Sequence, residues 1–490
     1  MSVPLGVDEG GLAYVASRWD SGEGSLYGAH WLDRPPLLLA LFRIVAAGAE
    51  VGIRALGAVA AIGLVVLAAA TARSLAGDRA ASTAAILAAA LAGSVVLTAA
   101  YAPAELLAAV PSAAAVLCLV RAHRTALARW LVAAGALAAT AVLVKQSSVD
   151  AAAAGAAFAL ASPGRGGDRL RRLLALGAGM TATLSLVATG HALAGHPADA
   201  LPYALVGFRI DALDALAGMD PPLGERLGRL AAPALGSALV VVLAAAVAGV
   251  AALRRDGVMA WTAAAWLATG AAAMLAGGSY WAHYLIQLVP ACSVLAAVAL
   301  ATAAPWRRAA FGAAVVLTVA AGNVYGAVRV RERPPQALEL AAAAFVRDHA
   351  RPGDTQYVLY ARANVLYYVD LPSPYPYAWS LMLHTIPGAT DRLHRLLATP
   401  RRPTWVLQWQ PFNAWGLDPH GRTRALVATH YRRVAPSLCG RPVHVWLRRD
   451  DDRAVRRRPR VCPPYPPAAR SVPSARVRSA AAVRSLSAAS

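Results

Sequence analysis

Long apolar runs separated by short polar loops occupy most of the first 330 residues. A run of about 20 residues can cross the hydrocarbon core of a bilayer as a helix. We predict ten spans, at 51–72, 81–101, 105–120, 127–144, 148–162, 173–194, 230–253, 258–276, 284–304 and 309–328. The shorter amphipathic stretch 36–48 is predicted to lie at the membrane interface. The pattern therefore predicts an all-α polytopic membrane protein with about ten to eleven transmembrane helices.

Arginine marks alternate loops between these runs. The loops that carry it contain Arg73 and Arg79; Arg121, Arg124 and Arg129; Arg165, Arg169, Arg171 and Arg172; Arg254 and Arg255; and Arg307 and Arg308. The other short loops, 102–104, 145–147 and 277–283, carry no arginine and a single lysine, Lys145. Because positive residues concentrate on the cytoplasmic side, we predict that 1–35, Lys145, 195–229, His283 and everything after 330 lie outside the cytoplasm.

Beyond the last predicted span, the apolar runs shorten and charged and aromatic residues become more frequent. Short strands are predicted at 355–359 and 404–408, and helices at 338–349 and 389–398. We therefore divide the chain into four predicted parts. They are a first external loop (1–35), a transmembrane domain (36–330), a small extracytoplasmic α/β domain (335–450) and a disordered basic tail (451–490).

Composition agrees with a membrane protein and limits the chemistry. Hydrophobic residues make up 58% of the 490 residues, which is too apolar for a soluble chain of this length. The net charge of +21 does not indicate nucleic-acid binding, because many of the arginines lie in loops between apolar runs. The spacing of the four cysteines matches no zinc site. Cys439 and Cys462 could form a disulfide if their region lies outside the cell.

Two charged clusters precede the membrane-embedded part: Asp8-Glu9 and Asp33-Arg34-Pro35-Pro36. A carboxylate at the membrane surface can act as a general base. An arginine can bind a phosphate through two parallel hydrogen bonds. The two prolines stiffen the chain after Arg34. Less specific alternatives remain, since Asp8 could cap a helix over 9–18 and Arg34 could be an interfacial anchor.

Five further residues on the same predicted side are candidates for binding. Lys145 is the only lysine beside 46 arginines, so its retention suggests a role that arginine cannot fill; the alternative is a lysine that reaches from a helix end to the interface. Glu105 is the first residue of a predicted span. The alternative is that it only interacts with the helix dipole, which favours an acidic residue in the first turn. His283 and Gln287 are four residues apart, so we expect them to share a helix face. Tyr284 could instead belong to an aromatic belt.

These motifs, in this order, resemble those of the family 39 glycosyltransferases, which include the dolichyl-phosphate-mannose-protein mannosyltransferases. The resemblance rests on Asp8-Glu9, on Arg34 before Pro-Pro, on Lys145-Gln146 and on the His283-Tyr284-x-x-Gln287-x-x-Pro290 string. It implies a GT-C fold and transfer, with inversion, of a sugar from a polyprenyl-phosphate donor to a glycan, lipid or protein acceptor outside the cytoplasm.

The resemblance also implies roles for individual residues. Asp8 is the expected catalytic base, with Glu9 as a second catalytic candidate. The residues expected to bind the donor phosphate or another part of the substrate are Asp33, Arg34, Glu105, Lys145, His283, Tyr284 and Gln287. Neither a metal nor another cofactor is indicated.

The sequence departs from the family pattern at two places. Relatives usually carry a membrane helix before the Asp-Glu loop, and without one we expect this loop to be poorly anchored. Gly11 stands three residues after Asp8, where some relatives have an arginine. This removes a possible phosphate ligand and weakens the case for an aminoarabinose-type donor.

Two functions of other classes compete with a transferase. A lipid or sugar transporter, or flippase, would carry ionisable residues deep in its spans and often internal repeats, whereas the candidates here lie at span ends. A wall-anchoring protein acting through its C-terminal domain and tail would leave Asp8, Lys145 and His283 without a role.

Overall fold

The computed structural model describes residues 4–19, 26–46, 48–97, 101–196, 199–217, 222–332, 336–435 and 437–455. Its N-terminal part is a helical bundle. The helices are α1 (Val7–Arg18), α2 (Pro36–Ala46), α3 (Ala49–Ala76), α4 (Asp78–Ala92), α5 (Ala104–Thr125), α6 (Ala128–Val144), α7 (Asp150–Ala161), α8 (Gly166–Leu193), α9 (Ala200–Pro202), α10 (Phe208–Ala217), α11 (Leu223–Gly236), α12 (Leu239–Ala252), α13 (Gly257–Leu275), α14 (Val289–Leu300) and α15 (Pro305–Glu332). Every predicted span overlaps one or two of these helices, although the span predicted at 81–101 extends past the end of α4 at Ala92. The predicted interfacial stretch is α2.

Within the described residues, six helices are long and apolar enough to cross a bilayer, and a seventh span results if the bent pair α11–α12 counts as one. This is fewer than predicted, although the all-α polytopic fold is confirmed. Helix α7 has only 12 residues and α4 only 15, so they are about 18 and 22 Å long at 1.5 Å per residue. The predicted span 230–253 is bent by 82°, because Ala238 adopts a left-handed backbone conformation (φ 60°).

Small residues allow the helices to pack closely. A Cβ at Gly135 would overlap the backbone of Leu176, and one at Gly179 would overlap the carbonyl of Val132. Helices α6 and α8 therefore meet backbone to backbone, as small residues permit between membrane helices. Helix α5 and the segment 282–300 are largely buried, whereas α8 and α15 are mostly exposed to the surroundings of the bundle. The buried pair forms the centre that carries the site.

The C-terminal α/β domain contains a four-stranded sheet. Its strands are β1 (Gln356–Leu359), β2 (Trp405–Gln408), β3 (Tyr431–Ala435) and β4 (His444–Arg448). They lie in the order β1-β2-β4-β3, with β1 and β2 parallel and the other pairs antiparallel. Its helices are α16 (Ala337–Arg347), α17 (Asn364–Val369), α18 (Ser380–Thr385), α19 (Ala389–Ala398) and α20 (Arg422–His430). The two predicted strands and two predicted helices are present, while β3 and β4 were not predicted.

A buried ion pair joins the end of the described chain to the start of the sheet in this domain. The Arg453 guanidinium donates to both carboxylate oxygens of Asp354, at 2.6 and 2.9 Å, and the Trp405 indole donates to the same carboxylate at 3.0 Å. The first residues of the predicted tail, 451–455, are therefore packed against the domain, and the rest of that tail lies outside the described residues. Cys439 is disulfide-bonded, and Cys462, which the sequence analysis considered as a possible partner, also lies outside them.

Helix α1 is held by the C-terminal domain. The backbone N–H of Leu5 donates to the Tyr368 hydroxyl at 2.6 Å, and the Asn364 amide donates to the Leu5 carbonyl at 3.3 Å. A Cβ at Gly10 would lie 2.5 Å from the Cβ of Asn364, so α1 and α17 are in direct backbone contact. The expectation of a poorly anchored Asp-Glu loop is thus wrong, because α17 supplies the anchoring contacts.

Candidate active site

Glu105 lies at the centre of a buried ion-pair network at one end of the bundle. It is in the first turn of α5, where Pro103 precedes the helix. Its carboxylate forms an ion pair with the Lys145 ammonium, and its Oε1 lies 3.6 Å from the His283 Nε2. The same ammonium lies 4.5 Å from the centre of the Tyr284 ring. Four of the predicted binding residues, from three separate chain segments, are therefore in contact.

Asp33 forms the second centre of charge. Its carboxylate is buried and pairs with Arg34 at 2.8 Å and with Arg209 of α10. The Gln146 amide donates to the Asp33 carbonyl at 2.7 Å, which ties this loop to the one that carries Lys145. Burial alone would raise the pKa of Asp33, but Arg209 and Arg34 outweigh it and hold this pKa below its usual value.

Arg34, Lys145 and Arg209 form what we call the cationic cluster. Each side chain retains 14–28% exposure. Burial lowers the pKa of Lys145, and Arg34 and Arg209 lower it further, while Glu105 opposes them. Like charges are thus crowded at this point, and a bound anion would relieve their repulsion. A phosphate group suits two guanidinium forks and one ammonium.

Asp8 is exposed at the first turn of α1. One carboxylate oxygen accepts a hydrogen bond from the Trp379 indole at 3.1 Å. Burial disfavours the charged form of Arg34, but Asp33, followed by Asp8, raises the pKa of this guanidinium above its usual value. Asp8 is therefore within electrostatic reach of Arg34 in the cationic cluster. The N-cap of α1 is Gly6, so the capping alternative for Asp8 is wrong.

Glu9 points away from the cluster. Its Oε1 accepts from Arg54 at 2.5 Å and from the Ala102 backbone N–H at 2.6 Å, and its Oε2 accepts from the Gly6 N–H at 2.9 Å. The carboxylate is buried and fully bonded, so this geometry argues against the predicted catalytic role. Glu9 instead ties α1 to α3 and to the loop before α5.

Gln287 also differs from expectation. Residues Ala282–Leu288 form a 3₁₀ helix, in which positions three apart share a face. Gln287 therefore does not share a face with His283. Its amide donates to the Ser147 carbonyl at 3.1 Å and thereby holds the loop that carries Lys145.

Arg209 and Trp379 were not predicted. Arg209 was one of several arginines in the segment 195–229, and nothing in its neighbourhood distinguished it. Trp379 lies in the C-terminal domain, 371 residues from its partner Asp8. Among the residues that the structure describes, no group of three His, Cys, Asp or Glu side chains could hold a metal ion.

Solved structures of membrane proteins share this fold. ArnT from Cupriavidus metallidurans in the apo state has 14% identity and a TM-score of 0.60, with 91% of this chain and 94% of that chain covered. The same protein bound to undecaprenyl phosphate gives a TM-score of 0.56 at the same identity and coverage. The apo oligosaccharyltransferase from Archaeoglobus fulgidus has 12% identity and a TM-score of 0.53, with 88% and 70% covered. No curated protein sequence matches the chain.

The chain therefore has the fold of these proteins, and its all-α polytopic architecture agrees with the GT-C fold that the motifs imply. Residues 33–191 match the family model described as dolichyl-phosphate-mannose-protein mannosyltransferase. This range includes Asp33, Arg34, Glu105 and Lys145. This match supports the family resemblance inferred from the motifs over the part of the chain that the family model covers.

Proposed function

We propose that this protein is a membrane glycosyltransferase that moves a sugar from a polyprenyl-phosphate donor to a hydroxyl group of a glycan, lipid or protein acceptor. The observation that carries the proposal is the cationic cluster beside the exposed Asp8 carboxylate. The family description names a dolichyl-phosphate sugar, and ArnT has been solved with undecaprenyl phosphate. Both support a lipid-linked phosphate as the anion in this cluster.

The cationic cluster acts on the leaving group. When the bond between the anomeric carbon and the phosphate oxygen breaks, its electron pair stays on that oxygen and the phosphate gains negative charge. This charge is stabilised by the hydrogen-bond donors of Arg34, Lys145 and Arg209. The ion pairs to Asp33 and Glu105 have already oriented these side chains. Because these N–H groups are held in place before the reaction, the side chains need to reorganise little as the charge on the phosphate develops.

Asp8 acts on the acceptor. Its carboxylate takes the proton from the acceptor hydroxyl while that oxygen forms a bond to the anomeric carbon. The base and the cationic cluster act on the incoming and leaving oxygens respectively. Attack on the face opposite the phosphate inverts the configuration at the anomeric carbon.

The Asp8→Asn variant tests the base assignment. Asn keeps the size of the side chain but is not a general base, so we expect turnover to fall by about 10²–10⁴-fold. Transfer is measured in membrane vesicles with radiolabelled polyprenyl-phosphate hexoses and pentoses. The matched control is Asp391→Asn, an exposed carboxylate of the C-terminal domain whose nearest basic partner, Arg422, is 3.9 Å away.

Two results would overturn the proposal. Near-normal turnover of Asp8→Asn would remove the base assignment. Movement of labelled donor across the membrane by the wild type, without glycosylated product from any donor, would favour a transporter.

We further propose that the site and the C-terminal domain face the extracytoplasmic side. The support is the alternation of arginine-rich and arginine-free loops, since Lys145 and His283 lie in the arginine-poor set. A cysteine at exposed Thr399 should react with an impermeant thiol reagent in intact cells. A cysteine at exposed Asp78, in the predicted arginine-rich loop where α3 ends and α4 begins, should be protected. The reverse labelling pattern would contradict this orientation.

A further inference from the structure

Trp379 is the only described residue that donates a hydrogen bond to the Asp8 carboxylate. Its indole N–H binds Oδ1 at 3.1 Å. This leaves the other carboxylate oxygen available to an acceptor hydroxyl. A hydrogen bond at one oxygen also restricts rotation of the carboxylate, which matters because productive proton transfer requires a defined geometry.

Gly11 provides the space for this indole. A Cβ at Gly11 would overlap Cζ2 of Trp379, and it would lie 2.8 Å from Cη2 of the ring and 2.8 Å from the Cβ of Ala363. Asp8 and Gly11 are three residues apart and share one face of α1. The ring thus lies along this face, against the backbone at Gly11 and with its N–H directed to Asp8. The position where some relatives place an arginine is covered here by the indole.

The segment that carries Trp379 is bonded to the first loop. The backbone N–H of Trp31 donates to the Pro376 carbonyl at 3.3 Å, and the rings of Trp31 and Tyr377 pack with their centres 5.9 Å apart. Trp31 lies two residues before Asp33. One short stretch of the C-terminal domain, 376–379, therefore contacts both the loop that leads to the cationic cluster and the helix that carries Asp8.

We propose that Trp379 is a positioning residue for Asp8, and that Gly11 is required because it lets the indole reach the carboxylate. This inference rests on the proposed function, in which Asp8 is the base. The C-terminal domain then takes part in the reaction, because it orients the base through one hydrogen bond. Among the described residues, no hydrogen bond or cation–π contact joins Trp379 to the cationic cluster, so its removal should alter turnover and leave donor binding unchanged.

The test is Trp379→Phe, which keeps an aromatic ring and removes the N–H. A hydrogen bond to a charged group contributes enough that its loss should lower kcat by about 10–100-fold. Binding of undecaprenyl phosphate, measured directly on the purified protein, should be unchanged. The matched control is Trp446→Phe, which removes an indole bond of 3.0 Å to Gln408 in the sheet of the same domain. We expect the control to keep wild-type kcat.

Two further variants separate positioning from a general structural role. Gly11→Ala leaves Trp379 intact but displaces its ring, so kcat should again fall while donor binding persists. In an Asp8→Asn background, Trp379→Phe should cause no additional loss, because the indole acts through the carboxylate. Gly11→Ala also decides the question if Trp379→Phe does not fold.

The outcomes distinguish the two proposals. Wild-type kcat in folded Trp379→Phe or Gly11→Ala, together with an inactive Asp8→Asn, would overturn the positioning role alone. Equal losses from Trp379→Phe in both the wild-type and the Asp8→Asn backgrounds would assign the indole a structural role and also overturn it. An active Asp8→Asn would instead overturn the base assignment on which this inference rests.

Discussion

The two sides of the candidate site are built differently. The cationic cluster lies within the helical bundle, and its partners Asp33 and Glu105 are buried carboxylates. Asp8, in contrast, is exposed, and its partner Trp379 comes from the C-terminal domain. The proposed donor side is preorganised by several ion pairs, whereas the proposed acceptor side has a single described hydrogen bond, at an exposed carboxylate. This arrangement suits a donor of constant chemistry, a lipid phosphate, and an acceptor that must enter from outside the bundle.

The adjacent carboxylates Asp8 and Glu9 give the sharpest contrast. Glu9→Gln leaves Arg54 without its charged partner, and breaking a buried ion pair costs about 3–5 kcal/mol of stability. We expect a lower unfolding temperature in detergent but wild-type kcat per folded molecule. Asp8→Asn should show the opposite pattern. Loss of turnover in folded Glu9→Gln would restore Glu9 as a catalytic candidate.

Arg209 tests whether the cluster binds the donor phosphate. Arg209→Gln removes one charged hydrogen-bond donor, and we expect the KM for the polyprenyl-phosphate donor to rise about tenfold to a hundredfold. The control is Arg229→Gln, an arginine of the same region whose guanidinium lies 5.8 Å from the ring centre of Trp281. A donor KM unchanged by Arg209→Gln would limit the role of Arg209 to pairing with Asp33.

The smallest effect is expected from Lys145→Arg, which conserves the charge. Arginine is bulkier than the ammonium that fits between Glu105 and the Tyr284 ring, so the KM for the donor should rise several-fold, by about 1 kcal/mol of binding free energy. The matched exchange is Arg34→Lys, which conserves the charge and introduces a smaller head group that needs no additional space, so we expect it to be tolerated better. If Lys145→Arg is kinetically silent, the single lysine has no specific role.

Much of the architecture was predictable because its signals are local. Hydropathy located the helices, and the motifs identified Asp8, Asp33, Arg34, Glu105, Lys145, His283 and Tyr284, which the structure brings to one end of the bundle. Local patterns were less reliable where helix geometry changed. His283 and Gln287 were expected to share a face, but a 3₁₀ turn replaced the α-helix there.

By itself, the sequence determined where the apolar helices lie and which charged groups stand at their ends, because both depend on side chains close together in the chain. Only the tertiary structure decided how those charges are paired. Glu9 is bonded to Arg54 and to the backbone of Ala102, and Arg209 reaches Asp33 across 176 residues. Trp379 reaches Asp8 only because Gly11 leaves room for its ring. Such contacts depend on packing between distant segments, which a pattern of neighbouring residues does not record.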